Sequence, residues 1–522
     1  MDRITILDCT LRDGGFINNW EFGSSLKLAA LRAFSNASIE YVEVGYLRDG
    51  VSNNRDTTLY NHISAVDNYL EDFYDASKYT VMIDFGNYDL NQLPVNQTKN
   101  IAALRITFRK HQANDAVDYI RNVISLGYKV FINPVSIGDY SRQEIQDLLV
   151  KLSDLKAEGV AIVDTYGMLY PNEVAELVKT FDNILPNNFS IGLHFHNNLQ
   201  QAFANIIIAS NLHTSRNIIV DTSCLGMAKA AGNAFTEIVC EYLNNTFSKN
   251  YNIENLNEFI DTFMHPIKEK YSWGYEFCYN LSASCRVHPS YAKALINTKL
   301  HSVIEMREIL SKIPRGVATI YSKSLLDELV LESYNPSGDV ISKEIYFANF
   351  NPSGVCVVAP GMSFNADEVR RLAGDGKFII ALNFLPDDCD VDMVFVSNTK
   401  RASQLQAKLV SENKVTSLIG LSHSIANHLT NCKVMNASSF LAKDEEIKYN
   451  ALIICLKWLH SISVREVSLL GLDGFSSENN YFNEEFDYKI QHKRVNFLIS
   501  TELKPLKNKM DIIFNGETHY DI

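Results

Sequence analysis

Eight short runs of β-branched and aliphatic residues, each followed by a longer helical segment, repeat through residues 1–240. They fall at 4–9, 41–45, 80–85, 104–108, 130–135, 160–164, 190–196 and 218–222. The runs are mostly apolar on both faces, which is the habit of parallel strands covered by helices. Eight βα units in this length predict a closed (β/α)8 TIM barrel. An open doubly wound sheet is the alternative, although it seldom needs eight uniform units.

Beyond this series the pattern changes. Residues 243–345 read as helices with polar and aromatic interruptions such as 271–279, an extension that packs on the barrel or covers its mouth. Turn-rich stretches at 333–339 and 351–354 mark a boundary. From Val355 a second α/β series starts, with strands expected at 355–359, 378–382, 393–397, 417–421 and 466–471. The expected organisation is a barrel over 1–242, a helical extension or lid over 243–345, and a smaller Rossmann-like doubly wound α/β domain over 346–522.

Composition narrows the function. With 46% hydrophobic and 21% charged residues the chain has material for cores and is not a disordered one. Lys and Arg number 48 against 61 Asp and Glu, a formal charge of -13. That balance argues against general binding of nucleic acid or anionic membrane, but leaves room for a local basic pocket. No apolar stretch reaches 18 residues, so no membrane span is expected. The N-terminus lacks a basic segment followed by an apolar run, and the nine cysteines include no C-x-x-C pair. Reduced thiols and a cytoplasmic location are therefore expected.

Barrel active sites lie at the C-terminal ends of strands, and polar residues gather there. The first run leads into Asp8-Cys-Thr-Leu-Arg-Asp-Gly-Gly15 and the second carries Glu43. The sixth ends at Asp164, the seventh in His194-x-His196, and the eighth in Asp221, followed by a segment from Gly226 to Asn233. Residues at i and i+2 share a strand face, so both imidazoles point together into the mouth. With Asp13 they form a two-histidine, one-carboxylate set suited to Mn2+, Fe2+, Co2+, Zn2+ or Mg2+. The alternative is that the histidines are ordinary loop residues.

Four of these motifs, Asp8–Gly14, Glu43 in Val-Glu-Val-Gly, His194-Phe-His196 and the segment Gly226–Asn233, in this order on these strands, resemble the HMG-CoA-lyase-like (DRE-TIM) metallo-aldolase superfamily, over about residues 1–300. Within it the chain looks most like 4-hydroxy-2-oxovalerate aldolases. The resemblance implies that Asp13, His194 and His196 hold a divalent metal, Mn2+ or Mg2+ first, with Zn2+ or Co2+ as alternatives, and that Asn233 lies near or on it. The metal would bind a 2-oxo acid such as pyruvate, and Arg12, oriented by Glu43, would stabilise its enolate. An aldehyde is the second reactant. Glu43 as a structural ion pair and Asn233 as a helix cap are the simpler readings. Asp164 and Lys229 are further substrate-contact candidates, Lys229 standing where relatives often have arginine. Relatives often dimerise, which makes a homodimer a candidate assembly. One departure matters: the family's general-base histidine is replaced near Phe16. Candidate replacements are His288 and Tyr291, in His288-Pro-Ser-Tyr291, and Tyr46; His288 as a surface residue before a turn is the alternative.

In the second series a strand runs into Pro360-Gly361-Met362-Ser363 ahead of a helix, a place where backbone N–H groups bind phosphate. An ordinary strand–helix turn is equally compatible. With Asn383 and Asp473 the series resembles the Rossmann-like domains of sialyltransferase-type proteins, which implies a nucleotide or nucleotide-sugar partner. His492 and His519 are the only candidate bases there. Together the two resemblances imply an aldolase acting in the making of a surface-polysaccharide sugar. Rival readings are an acetyl-CoA-dependent Claisen-type synthase of the isopropylmalate or homocitrate kind, a glycosyltransferase working through Asp473, and a non-catalytic binding protein.

Overall fold

Each of the eight apolar runs of the first half is a strand: β1 Ile4–Asp8, β2 Tyr41–Leu47, β3 Lys78–Asp84, β4 Ile101–Phe108, β5 Val130–Pro134, β6 Gly159–Asp164, β7 Ser190–Phe195 and β8 Ile218–Thr222. All pair in parallel, in chain order from β2 to β8. β8 then pairs β1, and β1 pairs β2, which closes the ring into a TIM barrel. A two-residue strand, Leu59–Tyr60, adds to β2 outside the ring. The computed structural model describes residues 3–71, 78–335, 354–411, 417–429, 431–476, 480–481 and 492–522.

Strand alternation builds the barrel interior in layers. Leu7 and Ile219, with Tyr41 and Phe131 packed edge to face at 6.0 Å, form an apolar floor. This floor is separate from the large core between strands and helices. Two residues further along the same strands come Cys9, Asp221, Glu43 and Asn133, all buried. One step of strand period thus takes the interior from hydrocarbon to polar and ionisable groups.

The second sheet contains the five expected strands: β9 Val355–Val358, β10 Phe378–Leu382, β11 Met393–Val396, β12 Ser417–Gly420 and β14 Glu466–Leu470. It also contains β13 Cys432–Val434 and β15 Asp511–Phe514, which the sequence reading missed. The order is β13-β12-β11-β10-β9-β14-β15, parallel throughout, with the chain reversing direction across the sheet at β9.

The chain forms two compact units, one of 1–293 with 314–321 and one of 294–313 with 322–522. The helical region 243–345, expected as one extension, therefore contributes to both. Its part in the second unit is held by a buried cluster. His301 Nδ1 lies 2.8 Å from Glu305 Oε2, the Thr399 hydroxyl donates to the same oxygen, and Ser302 N donates to Thr399 Oγ1 at 2.7 Å. Most of the two turn-rich boundary stretches, 336–339 and 351–353, lies outside the described residues.

A candidate active site at the barrel mouth

Six side chains from four strands and the loop after β1 close a ring of hydrogen-bonded ions. Arg12 Nη1 donates to Asp13 Oδ1 at 2.7 Å and its Nε to Glu43 Oε2 at 2.6 Å. Arg105, from the middle of β4, donates from Nη1 to the same Glu43 oxygen at 3.0 Å and from Nη2 to Asp221. Asp221 Oδ2 meets His194 Nδ1 at 2.9 Å, and His194 Nε2 returns to Asp13 Oδ2 at 3.5 Å. All six are buried. His196 Nε2 reaches the same Asp13 oxygen at 3.6 Å, and the Asn233 amide donates to it at 2.7 Å. The residues read as metal set, enolate partner and orienting glutamate are thus brought together.

Backbone geometry makes this convergence possible. Gly14 follows Asp13 in a tight turn where a Cβ would overlap the Thr10 carbonyl oxygen. The loop after β8 doubles back at Gly232 (φ 81°), so that Asn233 N bonds the Gly226 carbonyl at 3.1 Å and Asn197 N bonds the Gly232 carbonyl at 2.8 Å. That seats Asn233 beside His196.

The electrostatics fit a cation. Burial would raise the Asp13 carboxyl, but Arg12, the two histidines and the Asn233 amide hold it well below the usual carboxylate range. Burial pushes the His196 imidazolium down to about 4, so the ring is neutral near pH 7. His194 Nδ1 lies 2.9 Å from the Asp221 carboxylate, an acceptor for a hydrogen on Nδ1 in the tautomer that offers Nε2 to a metal. His194 Nε2 lies 3.5 Å from Asp13 Oδ2, so one ion could be ligated by both. The ring also holds three carboxylates against two guanidiniums, and the Asn233 Oδ1 atom is buried with no partner among the described residues. Asp13, His194 and His196, with Asn233 alongside, therefore fit a divalent ion. Among the described residues, the trio whose ligand atoms all lie within 4.8 Å of one another is Cys9, Asp13 and His194. Cys9 donates from Sγ to the Thr222 carbonyl at 3.0 Å, and burial raises its thiol, so it acts as a donor to that carbonyl.

Above the ring opens a cavity of about 590 Å³. Phe16, in the place of the family's base histidine, stands in its wall 4.8 Å from Trp20 and 6.4 Å from Tyr46. Tyr46 lies under the Arg12 guanidinium, 5.8 Å from ring to Cζ, and burial raises its phenol beyond use as a base near neutrality. His288 and Lys229 also line the cavity. His288 Nδ1 accepts from Ser290 N at 3.1 Å, which leaves the hydrogen on Nε2, and burial with the nearby Lys229 charge lowers its pKa to about 4. With its hydrogen on Nε2, His288 offers the cavity a donor at that nitrogen. Two further candidates are not among the residues lining the cavity. The Asp164 carboxylate is turned back to accept from Met168 N and Leu169 N, both at 2.9 Å, and burial raises it to about 6. It shapes the loop after β6 and does not line the cavity. Tyr291 is fully buried and donates to the Ile320 carbonyl at 2.9 Å, so it fastens the segment 314–321. Arg105 and Asp221 are site residues to which the sequence reading assigned no role. The available signal was an arginine inside an otherwise apolar strand.

In the second unit, Gly361, Ser363 and Asp473 meet and Asn383 stands apart. Ser363 N donates to Asp473 Oδ2 at 2.8 Å, its hydroxyl donates to the other carboxylate oxygen, and Gly361 N donates to the Gly471 carbonyl at 3.0 Å. Asn383 is engaged with Ser397, accepting from its N–H at 2.8 Å. Two of the turn N–H groups expected to meet a phosphate, those of Gly361 and Ser363, are thus already bonded, the second to a carboxylate. His519 adjoins this cluster through its backbone, and His492 opens the last helix.

Residues 94–262 match the family model described as HMGL-like. A 4-hydroxy-2-oxovalerate aldolase of Bacillus cereus is 26% identical over 246 residues, 46% of this chain and 70% of the relative. A homocitrate synthase of Sulfolobus acidocaldarius is 24% identical over 47% of this chain and 53% of its own length. Among solved structures, the N-terminal domain of a candidate aldolase from Bacteroides vulgatus aligns with a TM-score of 0.50 and 27% identity, covering 56% of this chain and 96% of that domain. The matches support the resemblance of the barrel part to the HMG-CoA-lyase-like superfamily, whose members named here are an aldolase and a synthase. The sialyltransferase-type resemblance expected of the C-terminal part is not supported by them. No described helix is long and apolar enough to cross a membrane.

Proposed function

We propose that the barrel is a divalent-metal-dependent aldolase, a carbon–carbon lyase that makes or breaks the bond beside a 2-oxo acid through its enolate. The observation that carries this reading is the convergence of His194 Nε2 and His196 Nε2 on one Asp13 carboxylate oxygen, at 3.5 and 3.6 Å, next to a buried guanidinium. Held by Asp13, His194 and His196, the ion (Mn2+ or Mg2+ by resemblance) supplies Lewis acidity toward the oxygens of the 2-oxo acid.

The protein's own groups do the rest. Glu43 and Asp13 occupy two edges of the Arg12 guanidinium and fix its plane, leaving Nη2 for the oxygen on which enolate charge develops. One such preorganised donor is typically worth about 3–4 kcal/mol. Asp221 sets the His194 tautomer, and Arg105 ties Asp221 to Glu43, so the metal side and the guanidinium side move as one piece. Phe16, Trp20 and Tyr46 form an aromatic wall that keeps water from the carbanion. His288 Nε2–H serves as hydrogen-bond donor to the oxygen of the second reactant.

The test is direct. Purified protein with Mn2+ releases pyruvate from 4-hydroxy-2-oxo acids and exchanges the methyl protons of pyruvate in deuterated buffer; failure of both would end this reading. The similarity to a homocitrate synthase favours one rival, a Claisen-type synthase. Thiol release from acetyl-CoA, with no pyruvate exchange, would put that in its place.

A further inference from the structure

The cavity wall carries more positive charge than a 2-oxo acid needs. Arg12 is committed to Asp13 and Glu43. Beyond it, four cations reach the wall from separate segments: Arg48 after β2, Arg109 after β4, Lys229 in the loop after β8, and Lys293 in the helix Pro289–Thr298. Against them the described lining residues include one carboxylate besides Asp13. That is Asp84, and it lies 3.4 Å from Arg109. Arg48, Lys229 and Lys293 form no ion pair among the described residues. This happens in a chain whose formal charge is -13. Like charges gathered around one concave surface repel, and a cleft so lined concentrates anions. The Lys229 ammonium stands 5.9 Å from the centre of the Phe16 ring, on the wall of the same cavity as His288. With about 590 Å³ available, a three-carbon oxo acid leaves room for a second reactant of sugar size.

We propose that the second reactant is an aldehyde bearing a phosphate monoester, held by Arg48, Lys229 and Lys293; this rests on the aldolase reading above. A phosphate monoester carries about -1.5 to -2 charges at pH 7, a closer match to three unpaired cations than one carboxylate. In the bond-forming direction the methyl carbon of the 2-oxo acid gives a proton to solvent water and bonds the aldehyde carbon. The aldehyde C=O π bond opens, its oxygen takes one proton back from solvent, and the phosphate is unchanged.

Metal-free protein is titrated calorimetrically with glycerol 3-phosphate and with glycerol. Mn2+-loaded protein is assayed with pyruvate and either glyceraldehyde 3-phosphate or glyceraldehyde, and pyruvate proton exchange is followed separately. The expected results are binding of glycerol 3-phosphate but not glycerol, and kcat/KM about tenfold or more higher for the phosphorylated aldehyde, the scale of one charge-assisted contact. Lys293→Ala and Arg48→Ala each cut that preference about fivefold, while Lys293→Arg keeps it. The preference is a ratio within one variant, so partial misfolding does not imitate the result. Proton exchange with equal use of both aldehydes, or no binding of glycerol 3-phosphate, overturns the acceptor assignment alone. No exchange with pyruvate overturns the aldolase reading and the acceptor with it.

Discussion

At the scale of single residues, the site depends on charges that hold each other in a place where none could stay alone. Arg105 shows this most clearly, since its two terminal nitrogens bridge Glu43 and Asp221. Removing one member of such a buried set leaves an uncompensated charge, at a typical cost of about 3–5 kcal/mol. Arg105→Met is expected to lower unfolding free energy by about that amount in urea titrations. Asp221 acts differently, through His194. Asp221→Asn keeps an acceptor for the Nδ1–H but loses its charge, and Mn2+ affinity measured by calorimetry is expected to fall about 10–100-fold. An unchanged affinity would show that the His194 tautomer is set by some other group.

At the scale of elements, apolar runs found strands wherever both faces are buried. β6 is buried at every position and was read correctly. The two missed strands are the edges of the second sheet. β13 is three residues with a lysine at its centre, and β15 alternates exposed and buried positions. An edge strand faces solvent on one side and need not be continuously hydrophobic. Loops carry the other element-scale lesson. The segment 224–233 reaches the site because Gly232 adopts a left-handed conformation in which a Cβ would overlap the Gly226 carbonyl oxygen. Gly232→Ala is expected to displace Asn233 and weaken Mn2+ binding, read by calorimetry, while the far-ultraviolet circular dichroism of the barrel stays the same.

At the scale of the whole molecule, buried carboxyls give stability a definite pH profile. Burial raises Asp8 to about 6, Asp164 to about 6 and Glu237 to about 7. Each binds its proton more tightly folded than unfolded, so the folded state is favoured below the unfolded value near 4, and that advantage is lost as pH rises toward 7. Asp13 and Asp221 are depressed despite their burial, by Arg12 and Arg105. Their contribution is present above about 4 and lost as pH falls below it. His196 and His288 act in the opposite sense: burial lowers both to about 4, so the folded state gains as pH rises toward their unfolded value near 6.5. Thermal midpoints are therefore expected to change little from pH 5 to 6.5 and to decline from there to pH 8 as Glu237 ionises. Glu237→Gln keeps the acceptor for Leu225 N, and is expected to raise the midpoint at pH 8 and flatten the decline. A midpoint that rises between pH 6.5 and 8 would contradict the assignment.

The sequence by itself determined the barrel, the second parallel sheet, and the placing of Asp13, Glu43, His194 and His196 at the barrel mouth. Those follow from hydrophobic period, strand count and the rule that side chains two apart share a face, all properties of local chain geometry. Asn233 and the pairing of Glu43 with Arg12 were expected only from the family resemblance. Tertiary structure alone decided what each polar group is bonded to. Asp164 and Asp221 are both carboxylates at strand ends, and both looked available. One curls back onto two backbone N–H groups, and the other meets an arginine four strands away in the ring and a histidine on the next strand. Hydrogen-bond partners depend on where separate strands are brought together by closure of the ring, and spacing along one strand carries no record of that.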